Sequence, residues 1–201
     1  MNYTGPKVKL SRKLGIPLTP KAAEVMAKKP YPPGQQGRTK PNRRKESNYK
    51  IQLMEKQRLR AQYNIHEKQM KNYYYKANKK KGNTIQNLIQ MLEMRLDAVV
   101  LRGGLAKTIY AARQYVSHKH ITVNGKLISF PGFSCKLGDV VAVRERSQKL
   151  PCFVELSQNS YRVPYLSYSP DTLSTEVLAI PKREDIPVIC NMSLVVEYYS
   201  R

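Results

Sequence analysis

Residues 111–126 read AARQYVSHKHITVNGK, and this stretch decides the fold because its periodicity changes partway along. Ala111, Ala112, Tyr115 and Val116 share one side at helical spacing, which leaves Arg113, Gln114 and Ser117 toward solvent or a ligand. Thr108 is placed to cap that short helix by accepting from a free backbone N–H. Asn124-Gly125 is the strongest two-residue signal for a type I′ turn, since both positions tolerate positive φ. Ile121 to Val123 is therefore predicted to pair with Lys126 to Ile128, with Val123 opposite Lys126.

Downstream, Pro131-Gly132 and Leu137-Gly138-Asp139 mark two further turns, and the alternating VVAVRE predicts another strand. Within residues 147–190, YRVPYLSYSP and TEVLAI read as strands between polar turns, and the prolines exclude long helices. A small antiparallel sheet against short helices is the expected product, an α+β arrangement.

Upstream, Gly103-Gly104 reads as a helix stop. Thr84 is placed to cap a helix whose Ile85, Leu88, Ile89, Leu92 and Leu96 form one apolar stripe. Before it, KKKGN breaks the pattern, leaving Lys79, Lys80 and Lys81 as a basic turn. Met70, Tyr73, Tyr74 and Ala77 recur at i, i+3, i+4 and i+7, so the two tyrosines read as core; Tyr63 and Tyr75 are the freer candidates for stacking on a base. NYKIQLMEKQRLRAQYN, residues 48–64, is a loosely amphipathic helix in which Lys50, Lys56, Arg58 and Arg60 outnumber the acids. Residues 1–46 hold few apolar side chains and are expected not to pack a core alone. They read either as a solvated tail or as a basic arm, including Arg38, Arg43, Arg44 and Lys45, that orders on phosphate. The C-terminal NMSLVVEYYSR fits a helix through Leu194, Val195 and Tyr198 or a strand through Leu194, Val196 and Tyr198, and its apolar groups predict burial, with the face of Met70, Tyr73 and Tyr74 as the expected surface.

Charge points to the partner. The chain has 36 basic and 14 acidic residues, a formal net charge of +22. Residues 1–90 hold 22 basic and 4 acidic side chains (22 − 4 = +18), residues 91–146 hold 9 and 4 (+5), and residues 147–201 hold 5 and 6 (−1). Such an excess repels itself unless a polyanion lies nearby, which points to nucleic acid, with the first ninety residues facing it.

Catalytic signatures are missing. There is no Walker-type glycine loop, no H-E-x-x-H and no G-x-S-x-G. Cys135, Cys152 and Cys190 are three and widely spaced, forming neither a disulfide framework nor a metal knuckle, which fits a reducing compartment. His66, His118 and His120 lack cysteine or carboxylate neighbours at metal spacing, so His118 and His120 read as phosphate donors or helix-end caps. No apolar run reaches the roughly 18 residues of a membrane span, and the N-terminus has no apolar signal core. A soluble, intracellular protein is expected, with no small-molecule substrate, metal or other cofactor.

Residues 94–143, MRLDAVVLRGGLAKTIYAARQYVSHKHITVNGKLISFPGFSCKLGDVVAV, resemble the RNA-binding fold named after small-subunit ribosomal protein S-four. Arg95-Leu96-Asp97, Ala112-Arg113-Gln114, His120, Val123-Asn124-Gly125 and Gly138-Asp139 fall in the family's order. That fold also occurs in pseudouridine synthases, tyrosyl-tRNA synthetases and small stress proteins. The flanks YPPGQQG, YKIQLMEKQRLRAQYNIHEKQMKNYYYKA, KGNTIQNLIQMLEMRLD and LVVEYYSR extend the resemblance to the S-four ribosomal family over nearly the whole chain. LEMRLD, the FSCKLGD turn and LVVEYYSR look most like cyanobacterial and plastid members. Many members carry N-terminal zinc cysteines; this chain has no cysteine before Cys135, so a zinc site is not carried over. Gln36 stands where a histidine is more familiar, and Tyr110 and Lys119 occupy variable points.

The resemblance implies a basic extension (1–46), a helical rRNA-binding domain (47–92) completed by 184–201, and an inserted S-four-type RNA-binding domain (93–183). It implies a primary binder of small-subunit, 16S-type rRNA that grips a multi-helix junction early in assembly. It also implies a place beside the channel by which mRNA enters, next to ribosomal proteins S-three and S-five, with a contribution to translational accuracy, in the bacterial cytoplasm or plastid stroma. Arg95, Lys107, Thr108, Arg113, Gln114, Ser117, His118, Lys119, His120, Asn124 and Lys126 are then the expected RNA contacts of the inserted domain, and the basic residues above with Tyr63 those of the helical one. An RNA-modifying enzyme would need a separate catalytic domain for which the chain has no room. A free RNA-binding regulator or stress protein would be a compact unit without the long helical part.

Overall fold

The structure is a computed structural model that describes residues 3–38, 47–154 and 163–200. It divides into two compact units, Met1–Tyr74 with Val188–Arg201, and Tyr75–Pro187. The mixed α+β class is the one expected.

The first unit is helical. Residues 7–28, expected to lack packing of their own, form α1 (Lys7–Leu14) and α2 (Pro20–Lys28), and Ser11, Leu14, Ile16 and Ala22 are buried. The signals are local. Gly15 closes α1 in the left-handed region at φ 71°, and Thr19 caps α2 by accepting from the Ala22 N–H at 3.2 Å, with Pro20 at the first helical position. α3 (Asn48–Gln62) starts at Ser47, whose hydroxyl accepts from the Lys50 N–H. The C-terminal segment settles as helix α10 (Met192–Ser200), with Met192 and Val195 buried. It packs chiefly along α3, and toward the Met70–Tyr74 face expected from sequence Tyr199 stacks on Tyr74 at 5.1 Å between ring centroids. Polar pairs fix the approach. Gln62 donates to the Ile189 carbonyl at 3.1 Å and accepts from the Ile189 N–H at 3.0 Å, while Glu55 accepts from the Asn191 N–H at 2.8 Å.

α4 (Glu67–Lys79) runs across the division between the units. In the second unit α5 (Thr84–Glu93) is capped by Asn83, not Thr84: Asn83 has extended backbone and its side chain accepts from the Ile85 N–H at 2.8 Å, so Thr84 is already helical. The apolar stripe is also divided, because α5 ends at Glu93 and Leu96 opens α6 (Leu96–Arg102). α7 (Ile109–Ser117) begins at Thr108, whose hydroxyl accepts from the Ala111 N–H at 3.2 Å, as read from sequence.

Five antiparallel strands follow, β1 (Ile121–Val123), β2 (Lys126–Leu127), β3 (Val140–Val143), β4 (Leu166–Ser169) and β5 (Ser174–Val177), in the order β2-β1-β3-β5-β4. Val123 stands opposite Lys126, and Asn124 and Gly125 take φ 49° and 77°, the type I′ turn that the sequence predicts. Period-2 alternation buries Ile121 and Val123, Val141 and Val143, Thr175 and Val177. Gly103, at the end of α6, lets that helix approach the sheet: a Cβ there would fall 2.6 Å from the Thr175 methyl. Two short helices, α8 (Glu145–Gln148) and α9 (Pro151–Val154), occupy ground expected to be sheet and loop.

Candidate nucleic-acid interface

The basic residues divide into those that hold the fold and those left at the surface. Asp97, at the first turn of α6, is fully buried and takes a fork from Arg95, Nε to Oδ1 at 2.9 Å and Nη2 to Oδ2 at 2.6 Å. It also accepts from the Ala98 N–H at 3.0 Å, and Arg113 Nη1 lies 3.6 Å from Oδ2. Burial raises the Asp97 pKa, with Arg95 and then Arg113 pulling against it. Arg95 is 1% exposed and Arg113 8%. Both were expected to contact RNA; in this structure both are buried against Asp97, Arg113 turning back from α7 toward α6.

A second buried carboxylate, Glu93, receives Arg102 and the Tyr165 hydroxyl, the latter at 3.1 Å. Sequence reading missed it, since its partners lie 9 and 72 residues away.

What remains outside is the end of α7. Gln114, Ser117, His118 and Lys119 are exposed. Lys119 takes φ 62°, which turns the chain out of the helix as its N–H donates to the Val116 carbonyl at 3.0 Å. His120 is half-buried: its Nδ1 lies 2.9 Å from the Ser147 hydroxyl and its ring 6.0 Å from that of Phe153. Burial first, then the charges of His118 and Arg144, lower its pKa, so the neutral ring is favoured in the free protein. Thr108 serves as a helix cap. Asn124 is exposed but holds the fold, donating to Asp139 at 2.9 Å and accepting from the Val140 N–H at 2.9 Å. Lys107 and Lys126 are exposed. So are Lys79, Lys80 and Lys81, in a turn fixed by Asn87, whose amide donates to the carbonyls of Ala77, Lys80 and Lys81 at 3.2 to 3.4 Å.

In the helical unit the same division holds. Lys56 is 4% exposed, paired with Glu67 at 2.9 Å and set 4.4 Å from the centre of the Tyr198 ring; Tyr63 is 2% exposed. Both were expected to contact RNA and both are buried in this unit, Lys56 beneath the Tyr198 ring of α10. Arg58 is partly committed, donating to the Leu14 carbonyl at 2.8 Å and pairing with Glu55. Lys50 is exposed, Arg60 half-buried and Tyr75 exposed. Arg38 is exposed and donates to the Tyr31 hydroxyl at 3.1 Å. Arg43, Arg44 and Lys45 lie outside the described residues.

Among the described residues no group of three or more His, Cys, Asp or Glu could hold a metal ion, and no helix is long and apolar enough to cross a membrane. The three cysteines are unpaired as disulfides.

Comparison with known families adds identity to this geometry. Residues 2–93 match the ribosomal protein S4/S9 N-terminal domain and residues 94–141 the S4 domain. Small ribosomal subunit protein uS4 of Thermobifida fusca is 46% identical over 205 residues, covering the whole of both chains. This chain belongs to the uS4 family. The uS4 proteins of Streptomyces avermitilis, 48% identical over all of this chain and 99% of its relative, and of Clavibacter sepedonicus, 45% identical over 98% and 96%, extend the likeness. These three uS4 relatives are bacterial. The S4 domain begins at Met94, one residue before the buried Arg95–Asp97 fork, so the match includes the scaffold of α6 and α7 as well as the exposed end of α7.

Proposed function

We propose that this chain is a structural, non-catalytic protein of the small ribosomal subunit that binds its rRNA by charge and shape. The observation that carries this reading is the full-length likeness to uS4 proteins in a chain of net charge +22. Two buried carboxylates fix the inserted unit, and exposed side chains of α7, the hairpin and the Lys79–Lys81 turn are left to meet phosphates. A junction where several RNA helices converge offers the dense phosphate field that such a surface needs.

At finer grain, the protein nucleates assembly on such a junction of 16S-type rRNA. It lies beside ribosomal proteins S-three and S-five, near the path by which mRNA enters, and contributes there to translational accuracy. Its compartment is the bacterial cytoplasm or plastid stroma.

The test is cosedimentation with small subunits through a high-salt wash, joined to rRNA binding measured across salt. For roughly eight phosphate contacts the log-log slope lies near −6, at about −0.7 to −0.9 per contact. A protein washed off the subunit, or a slope near zero, overturns the reading. Neutralising Arg43, Arg44 and Lys45 flattens the slope and weakens different junctions alike; a loss confined to one RNA sequence indicates base readout instead.

A further inference from the structure

Asn124-Gly125 is the only Asn-Gly pair in the sequence. An asparagine is most reactive in that setting, because glycine puts no side chain between its own backbone nitrogen and the carboxamide carbon before it. Both residues are exposed, and a Cβ on Gly125 would meet nothing within 4 Å. The Gly125 N–H enters no hydrogen bond among the described residues. Nucleophile and solvent are therefore both at hand, but the carboxamide is held. Its Nδ2 donates to Asp139 Oδ1 at 2.9 Å, its Oδ1 accepts from the Val140 N–H at 2.9 Å, and the Asn124 N–H donates to the Val140 carbonyl at 2.8 Å. Asp139 is fixed in turn, its Oδ2 accepting from the Lys136 N–H at 2.7 Å and its carbonyl from the Val177 N–H at 3.1 Å. The φ of 49° at residue 124 would be met by aspartate or glycine as well. The two side-chain bonds are more demanding, since together they need one donor and one acceptor, an amide.

We propose that Asn124 is a site of spontaneous deamidation that the Asp139–Val140 clamp holds shut in the folded domain and that unfolding opens. The inference does not rest on the RNA-binding reading. In the reaction the Gly125 nitrogen bonds to Asn124 Cγ, its proton passes through water to Nδ2, and the Cγ–Nδ2 bond breaks with release of ammonia. One water then opens the cyclic imide at either carbonyl, leaving aspartate or, with the main chain rerouted through Cβ, isoaspartate. Ring closure has to swing Cγ onto the following nitrogen, and that swing breaks both side-chain bonds. Neither product can re-enter the clamp. Aspartate sets a second carboxylate where Nδ2 donated, facing Asp139. Isoaspartate lengthens the main chain of a two-residue turn that sets Val123 opposite Lys126. The change is one-way, so residue 124 records the time a chain has spent unfolded, and a marked chain closes its β1–β2 hairpin poorly against β3.

The test incubates the full chain and an Asp139→Ala variant near neutral pH, both native and in urea. Mass spectrometry of the peptide that holds residue 124 follows amide loss, and an isoaspartate-specific methyltransferase follows the rerouted product. In urea the two proteins convert at one rate. Under native conditions wild type converts far more slowly than in urea, while Asp139→Ala converts roughly tenfold faster than native wild type, as a barrier lower by about 1.4 kcal/mol requires. Asp139→Asn, which keeps an acceptor for Nδ2, stays near the wild-type rate. Hydrogen exchange in β3 shows whether Asp139→Ala remains folded during the incubation; where it does not, Asn124→Asp decides. That variant unfolds at lower urea than Asn124→Ala, because repulsion from Asp139 adds to the lost bonds. Native wild type that converts as fast as in urea overturns the proposal, as does a chain that keeps its amide in urea. A folded Asp139→Ala no faster than wild type assigns the protection to the turn backbone and overturns the clamp. Asn124→Asp as stable as Asn124→Ala removes the one-way consequence and overturns the proposal as well.

Discussion

Arg113 Nη1 and Asp97 Oδ2 lie 3.6 Å apart on two different helices, and the carboxylate they share with Arg95 is fully buried. A side chain that reads as an RNA contact is therefore part of what ties α7 to α6. Asp97→Ala removes the carboxylate that faces the buried Arg95 and costs about 3–5 kcal/mol. Arg113→Ala costs less, about 1.5–3 kcal/mol, because the Arg95 fork survives. Urea denaturation measures both. Full stability of Arg113→Ala combined with lost rRNA affinity would return this arginine to the interface.

The exposed end of α7 gives the opposite outcome. Gln114→Ala and Lys119→Ala leave unfolding free energy within about 0.5 kcal/mol of wild type. Together they weaken rRNA binding by roughly tenfold or more at moderate salt. Unchanged affinity in the double variant, measured by filter binding, removes this face from the interface.

Acid should loosen the helical unit through Glu67. Burial pushes its pKa up, but hydrogen bonds from Lys56 and Tyr199, with the charges of Lys56 and Arg60, outweigh this and lower it below its ordinary 4.5. Because the native pKa is depressed, the stabilisation is present above the unfolded value and disappears as pH falls through the native one. Wild type and Glu67→Gln therefore differ in stability at neutral pH and converge as pH falls through the depressed native pKa of Glu67, below its ordinary 4.5. Parallel stability curves down to pH 2 would show that the Lys56 and Tyr199 contacts do not form.

The C-terminal helix is the element whose loss is most selective. Burial of Val195 stabilises by roughly 1.5–3 kcal/mol, and Met192 adds to it. Deleting residues 193–201 raises hydrogen exchange in α3 while residues 105–143 keep their protection. Equal protection in both regions after truncation would place the tail elsewhere.

Thiol chemistry reports on the inserted unit. Burial, with Asp139 and Asp97 adding, pushes the Cys135 pKa up to about 12, so almost no thiolate exists at neutral pH. An aromatic disulfide reagent labels the partly exposed Cys152 and Cys190 first, and Cys135 only on unfolding. Three thiols reacting at one rate in the native protein would contradict that burial.

The hairpin and the Thr108 cap could be read directly from sequence because their causes are local: two residues that tolerate positive φ, and a hydroxyl three positions before the N–H it accepts. The cap of α5 was misassigned to Thr84 because Asn83 and Thr84 are both good caps, and only the extended backbone at Asn83 chooses between them. α1 and α2 were legible in Thr19-Pro20 and Gly15, but the basic composition around them hid the signals. The burial of Arg95, Arg113 and Lys56 is not legible in sequence for another reason. A cation on a weakly amphipathic helix is buried only if a carboxylate or an aromatic ring meets it, and here Glu67, Asp97 and Tyr198 do so. Those meetings belong to tertiary packing.

Because α10 completes the unit that begins with α1, this half of the protein cannot close in the order in which it is made. Val188 follows Tyr74 by 114 residues (188 − 74), which at about 5–20 residues per second is a wait of roughly 6 to 23 s during synthesis. Residues 75–187 are contiguous and can fold as soon as they emerge. Meanwhile α3 keeps the surface later covered by Val195 and Tyr198 open, beside a dense run of lysine and arginine. The nascent chain is thus most exposed in its most basic segment, where stray RNA or a chaperone has its opportunity before the last helix arrives.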